Sequence, residues 1–534
     1  MGFNRRDFLK ASATAAAGIA FPSIVKAASP WAVLPASAGD MPKYKILEIF
    51  LPGGASQWEN FWVSHDGPPS EYGNTVYGGD LNWRGLEGSV YELQWQSCGN
   101  SPSSSLHTAP FGTDINGTNI SWGPATSPLW RPDIYNRCRM LVTSHGDRLH
   151  FGATYRTMTG RRFGSPRGAG LGAAIQRHHQ SLGQQQDIPY SYVFAPDYLN
   201  PKKEYFFQYP TLIGQHPGPA RPLGIKVGKG ADAKLQRDGI SVKADRLFNE
   251  LRDQYRDLLR WQGTGVPISS ADFESFDSAS DYLIASEQLN MHFGGTQLEA
   301  NDESICAFHP MHSPSGFGLT QNRTRRSLEL AAYMLNNGAK HITVLDGGFN
   351  NGSLMDSNTP YDAHGNGGVN LVEMTSVHLF NLCQSLASVI DDGTTASSNV
   401  GKINLNDTLI IVHTEFNREP ALNGANCREH YPNSNVALLI GGTVYTRAIF
   451  GGIALDSVNE YETAQAVNAL TPTDVHAATL YAAGVNPIDP DNFTTGDEFS
   501  SAVNPGGGAS TDEILTNLEE KVLGVTNYAA ISTV

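Results

Sequence analysis

With 534 residues, 40% hydrophobic and 17% charged, the chain suits one large α/β domain or several smaller ones and is too apolar for a disordered protein. A formal charge of −15 argues against general affinity for nucleic acid or anionic membranes, so an anionic substrate would need clustered arginines or a metal to meet it. Five widely spaced cysteines with no C-x-x-C pair argue against a cysteine zinc site; an oxidising compartment would allow a disulfide, with partners open and one thiol left over.

Residues 1–38 read as an export signal. The run Asn4-Arg5-Arg6-Asp7-Phe8-Leu9-Lys10 precedes a mildly apolar, Ala-rich stretch from Ala11 to Ala20, and Ala36-Ser37-Ala38 has the small-x-small form of a cleavage site. Twin arginines before a weakly hydrophobic segment mark the Tat translocon, which moves folded proteins. The apolar run is too short for stable membrane insertion. Cleavage would remove four basic residues and one acidic one, leaving a mature chain three charges more acidic and placing it in the periplasm or outside the cell.

The first strand is expected at Tyr44–Leu51, ending in Pro52-Gly53-Gly54. Residues 65–130, rich in Gly, Ser, Asn and Pro, read as a surface excursion, and a strand at Arg139–Thr143 follows. Apolar spacing predicts a helix over 244–259 and another over Arg325–Asn337, capped by Gly338. The strand His341–Leu345, a polar loop at 346–368, a helix near 369–390 and strands at Leu409–Val412 and Val436–Ile440 come next. A helix over Asp474–Ala483, with Asp474 as its N-cap, and a helical stretch at Asp512–Leu523 close the chain. Helix–strand alternation from 325 to 440 predicts a parallel α/β sheet with helices on both faces. The expected domain spans 39–490, with insertions at about 65–130 and 190–240 and an extension at 491–534.

Polar clusters sit where strands end, which is where open α/β sheets bind ligands. They are Gly53–Glu59, His145–His150, Tyr361–His364, His413–Arg418 and Arg428–His430. Their Asp, Glu and His side chains suit a divalent ion such as Zn, Mn or Ca. Each also has a structural reading: Glu415 and Arg418 as an ion pair across a turn, Asp362 as a turn cap, Glu59 as a solvated loop charge.

Six ordered motifs resemble the secreted family called domain of unknown function 1501. They are G-G-A-S-Q-W-E-N at 53–60, H-F-G-A-T-Y-R-T-M-T-G at 150–160, Y-D-A-H at 361–364, T-E-F-N-R-E-P at 414–420, R-E-H-Y-P at 428–432 and D-V-H-A-A-T-L-Y-A-A-G-V at 474–485. That family is grouped with the alkaline phosphatase and sulfatase superfamily. The resemblance implies an alkaline phosphatase-like fold, a doubly wound, mostly parallel α/β sheet sandwiched by helices, and a metal-bearing crevice at the strand ends, with Asp362, His364, Glu415 and His430 as ligands and Glu59 in place of a first-loop Asp. It further implies anion binding by Arg418 and, at the nucleophile position, His150 in place of a hydroxyl or thiol. Phe416 replaces the histidine of the superfamily's D-H pair, which weakens the case for a second metal.

Two functions follow as expectations. The first is a Tat-exported, metal-dependent hydrolase of phosphate or related esters, acting on a small-molecule or polysaccharide ester, with His150 as acid/base group or ligand. The second is a non-catalytic scaffold or carbohydrate-binding protein whose aromatics (Trp58, Trp62, Trp83, Trp95, Tyr190, Tyr192, Phe206, Phe207) form a sugar-binding face or, alternatively, internal packing.

Overall fold

The computed structural model describes residues 43–64, 77–78, 82–83, 108–163, 165, 168–181, 191–196, 222–227, parts of 246–254, 323–348, 360–362, 371–394, 401–420, 428–455, 464–488 and 498–525. Eight strands form one sheet: β1 (Lys45–Leu51), β2 (Cys138–Thr143), β3 (Tyr192–Pro196), β4 (Leu223–Val227), β5 (His341–Leu345), β6 (Thr408–Thr414), β7 (Asn435–Gly441) and β8 (Ala448–Phe450). Their spatial order is β8-β2-β7-β6-β1-β5-β3-β4. β1 lies at its centre, paired in parallel with β5 and β6. These central strands are buried on both faces, which explains why Leu409–Val412 is a continuous oily run rather than an alternating one.

Period-two geometry sends alternate residues of β1 to opposite sides. Leu47, Ile49 and Leu51 join Ile342, Val344, Ile410 and Val412 in one core, beneath α3 (Arg323–Asn336) and α4 (Leu371–Val389). On the other side Ile46 joins Leu409, Ile411 and Leu439 against α2 (Leu171–Ser181), α5 (Pro472–Ala482) and α6 (Thr511–Asn517), the last continuing into a π-helical turn at Leu518–Leu523. Helices therefore cover both faces. Each fully buried Leu or Ile contributes roughly 1.5–3 kcal/mol of transfer free energy, so these two layers fix the frame on which the polar rim is carried.

Three details depart from the sequence reading. β7 runs antiparallel to both neighbours, β6 and β2. Between β6 and β7 the described residues form a short antiparallel ladder of Asn417–Arg418 with His430–Tyr431, and a return of that kind reverses direction. Within 65–130, the described part is not all surface. Ala109–Thr113, Asn119–Trp122 and Val63–Ser64 form a small sheet that delivers Phe111, Ile120 and Trp122 into the core, because three large apolar side chains cannot stay solvated cheaply. Finally, Thr471 rather than Asp474 is the N-cap of α5. Asp474 is the N3 partner of a capping box, accepting from Thr471 N at 2.6 Å. Most of the helix expected over 244–259 lies outside the described residues. Cys138 and Cys383 are free, buried thiols, and the other three cysteines lie outside the described residues.

Candidate metal centre at the strand ends

β1 leaves the sheet through Gly53 and Gly54, at φ +115° and +77°. A Cβ on Gly53 would collide with the backbone of Tyr361 and Asp362, and one on Gly54 with the Phe416 ring. Glycine is needed at both positions for its left-handed backbone and for this close approach. The turn is pinned to the end of β6: the Thr414 hydroxyl donates to Leu51 O (2.7 Å) and accepts from Ala55 N (3.0 Å), and Gly53 N donates to Glu415 Oε1 (2.7 Å).

Glu415 is fully buried and also accepts from His150 Nδ1 at 2.8 Å. His150 is the first residue of the helix α1 (His150–Thr159), whose opening turn has no side-chain cap. Its Nε2 faces Asp362 Oδ1 at 3.5 Å. Burial disfavours the imidazolium, but the carboxylates of Asp362 and Glu415 overcome that and push the His150 pKa up to about 9. Burial likewise opposes ionisation of Asp362, yet His150 and Arg418 hold its carboxyl well below the usual range.

The third member is His430. Its Nδ1 donates to Arg148 O at 2.8 Å, so the neutral ring carries its lone pair on Nε2. Ligand atoms of His150, Asp362 and His430 all lie within 4.8 Å of one another, and all three residues are partly exposed. The two imidazoles meet edge to face with centroids 4.3 Å apart, and Phe416 packs against both at 5.0 and 4.3 Å. Two imidazoles and a carboxylate are a donor set for zinc or manganese.

The remaining predicted residues take other positions. Glu415 stands behind His150, gripping the ring nitrogen that faces away from Asp362. Arg418 is fully buried. Its guanidinium donates to Gly53 O, Gly54 O (2.8 Å), Tyr361 O (3.4 Å), Arg428 O (3.1 Å) and Asp362 Oδ1 (2.9 Å), which makes it a clamp joining three rim loops. Glu59 is buried away from the group, paired with Arg428 at 2.7 Å and accepting from Ser56 Oγ. His364 lies outside the described residues. Of the aromatics considered for a sugar-binding face, Trp58, Trp62 and Tyr192 are buried, and Trp58 Nε1 donates to Arg418 O at 2.8 Å.

Two supports were not among the site residues read from the sequence, although His145 belongs to the polar cluster His145–His150. At the exit of β5, buried Asp346 accepts from Thr324 Oγ1 and from Tyr361 Oη, both at 2.5 Å, and from Gly348 N at 3.0 Å. This fixes the residue immediately before Asp362; the position of Asp346 at a strand exit was the available signal. His145, buried and with its pKa driven down to about 4 by that burial, donates Nε2–H to Glu415 O at 2.6 Å.

A second acid–histidine group lies inside the fold. Glu48, in the middle of β1, places Oε1 3.2 Å from His413 Nε2 and Oε2 3.4 Å from His341 Nε2, and accepts from Thr343 Oγ1 at 2.7 Å. His476 of α5, itself held to about 4 by burial, senses the same charges. Burial disfavours ionisation of Glu48, but its contacts with His341 and His413 keep the carboxyl far below its ordinary value. The only sequence signal was one acid in the oily run Tyr44–Leu51.

Comparison with known proteins adds two matches. A family model described as protein of unknown function (DUF1501) matches residues 274–501, a span that includes Asp362, Glu415, Arg418 and His430 but not His150 or Glu59. The twin-arginine translocation pathway signal sequence matches residues 2–22. The chain thus carries a Tat export signal, handled by the Tat translocon and directing it across the cytoplasmic membrane to the periplasm or beyond. Among the described residues no helix is long and apolar enough to cross a membrane. No curated protein and no solved structure matches.

Proposed function

We propose that the exported protein is a metal-dependent hydrolase of phosphate or related esters, with His150, Asp362 and His430 holding one divalent cation. The observation that carries this reading is the convergence of three ligand atoms from three distant segments within 4.8 Å. Each is backed by a second partner: Glu415 behind His150, Arg418 behind Asp362, the Arg148 carbonyl behind His430. Such backing fixes ring orientation and tautomer, as metal-ligating side chains require. A cation held there would supply positive charge to an ester oxygen and lower the barrier to attack by water.

The chain's own groups fit the rest of that chemistry. The uncapped first turn of α1 directs backbone N–H groups toward the rim, where they favour an anionic oxygen. Thr154 and Thr157 are buried, and Thr157 donates its hydroxyl to Glu415 O at 3.3 Å, which favours water over these hydroxyls as nucleophile. The alkaline phosphatase-like assignment belongs to this proposal and rests on the motif resemblance and the mostly parallel, helix-covered sheet.

A second reading has its own support. The carboxylates of Asp362 and Glu415 can be balanced without metal by the cations of His150 and Arg418, as befits a non-catalytic scaffold. Elemental analysis of purified protein exposed to zinc and manganese separates the two. About one ion per chain, lost in His430→Ala and Asp362→Asn, together with turnover of phosphate esters, is the expected result. Metal-free protein from both wild type and variants overturns the proposal in favour of the scaffold.

A further inference from the structure

Among the described residues, seven large hydrophobic side chains are exposed, and three of them cluster around the start of α1: Leu149 (75%), Phe151 (37%) and Phe163 (53%). Leu149 and Phe151 flank His150 in the chain. The Phe151 and Phe163 rings pack edge to face at 3.9 Å, and Tyr155 meets Phe163 at 5.5 Å. Two exposed arginines, Arg148 and Arg162, adjoin these residues in sequence, and neither makes an ion pair among the described residues. A chain of formal charge −15 thus presents solvent-facing rings that continue from the residue after His150, with Arg148 and Arg162 beside them in sequence.

We propose that this patch is a subsite for the organic half of the substrate, and that the substrate is an anionic ester bearing an aryl or similarly flat apolar group. The inference rests on the metal-dependent reading and names its substrate class. Charge complementarity selects the occupant: an anionic head is drawn to Arg148, Arg162 and the N-terminal turn of α1, while the ring stacks on Phe151 and Phe163. A neutral sugar would leave both arginines unused. Exposed rings beside a polar centre are what an amphipathic small molecule covers on binding.

The test is calorimetric binding of benzylphosphonate and methylphosphonate to the full exported chain, with bound metal measured in the same samples. Benzylphosphonate is expected to bind about tenfold more tightly. In the Phe151→Ala, Phe163→Ala double variant that ratio is expected to fall to about twofold or less. Arg162→Gln is expected to weaken both ligands about threefold and leave the ratio unchanged. Equal affinity for the two phosphonates in wild type, or a ratio that survives loss of both rings, overturns the subsite. Sedimentation with phosphatidylglycerol vesicles that depends on the two rings, with no phosphonate discrimination, overturns it in favour of a membrane-facing patch. Absence of metal would sink the metal-dependent reading, whereas the ligand ratio reports on the patch by itself.

Discussion

Two groups of histidines and carboxylates flank the exits of β1 and β6, one within the sheet and one just beyond it, and they occupy opposite environments. Glu48, His341 and His413 are enclosed between the central strands and the layer of α5. His150, Asp362 and His430 sit just past the strand ends with their side chains partly open. The chemistry is the same and the surroundings differ. In the enclosed group no partner can be exchanged, so its charges contribute only to holding the sheet together. At the rim a proton or an ion can enter and leave, so the same donors can serve a ligand.

That contrast yields expectations that grade from large to small. Glu48→Gln leaves buried histidines without their carboxylate and is expected to lower the unfolding free energy by about 3–5 kcal/mol in urea titration, with metal content per folded chain unchanged. Lost metal at undiminished stability would reverse the roles assigned to the two groups. The acid limb carries the same signature. Because the folded-state pKa of Glu48 lies below its ordinary 4.5, its stabilisation is fully present above that pH, declines below it, and is gone beneath the depressed folded value. The stability gap between wild type and Glu48→Gln should therefore narrow on acidification below pH 4.5. A gap that widens there would remove Glu48 from the argument.

At the rim the order of effects is inverted. His430→Ala removes a partly exposed ring and is expected to change stability by no more than about 1 kcal/mol while abolishing metal retention. Tyr361→Phe has the mildest expected effect on metal binding. Loss of one hydroxyl on Asp346 is expected to cost about 1 kcal/mol or somewhat more, and to weaken metal affinity a few fold by loosening Asp362 without altering stoichiometry. Unchanged affinity in that variant would detach Asp346 from the site.

The frame was legible because its cause is local. Short β-branched runs such as Leu409–Val412, and the spacing of apolar residues over Arg325–Asn337, are set by burial, which composition and period reveal. Strand direction is not encoded in period, so the reversal of β7 could not be read. Asp362 and His430 were legible as ligand chemistry near strand ends. The place of Glu415 behind His150, and the use of Arg418 as a clamp, were not, since a carboxylate or guanidinium has the same formula whether it faces a ligand or a backbone carbonyl. Glu48 was hardest to see: its partners come from two other strands, at positions nearly 300 and more than 360 residues away.

The reversal of β7 has an evolutionary corollary. Ligand-binding loops in open α/β sheets ordinarily follow a strand, whereas His430 precedes one, being delivered by the segment that leads into Asn435. Its backbone position is tied to Arg418 by the two-residue ladder and not to the sheet itself. Length changes between Pro420 and Arg428 could therefore accumulate across relatives while this imidazole stayed in register, without rebuilding the sheet beneath it.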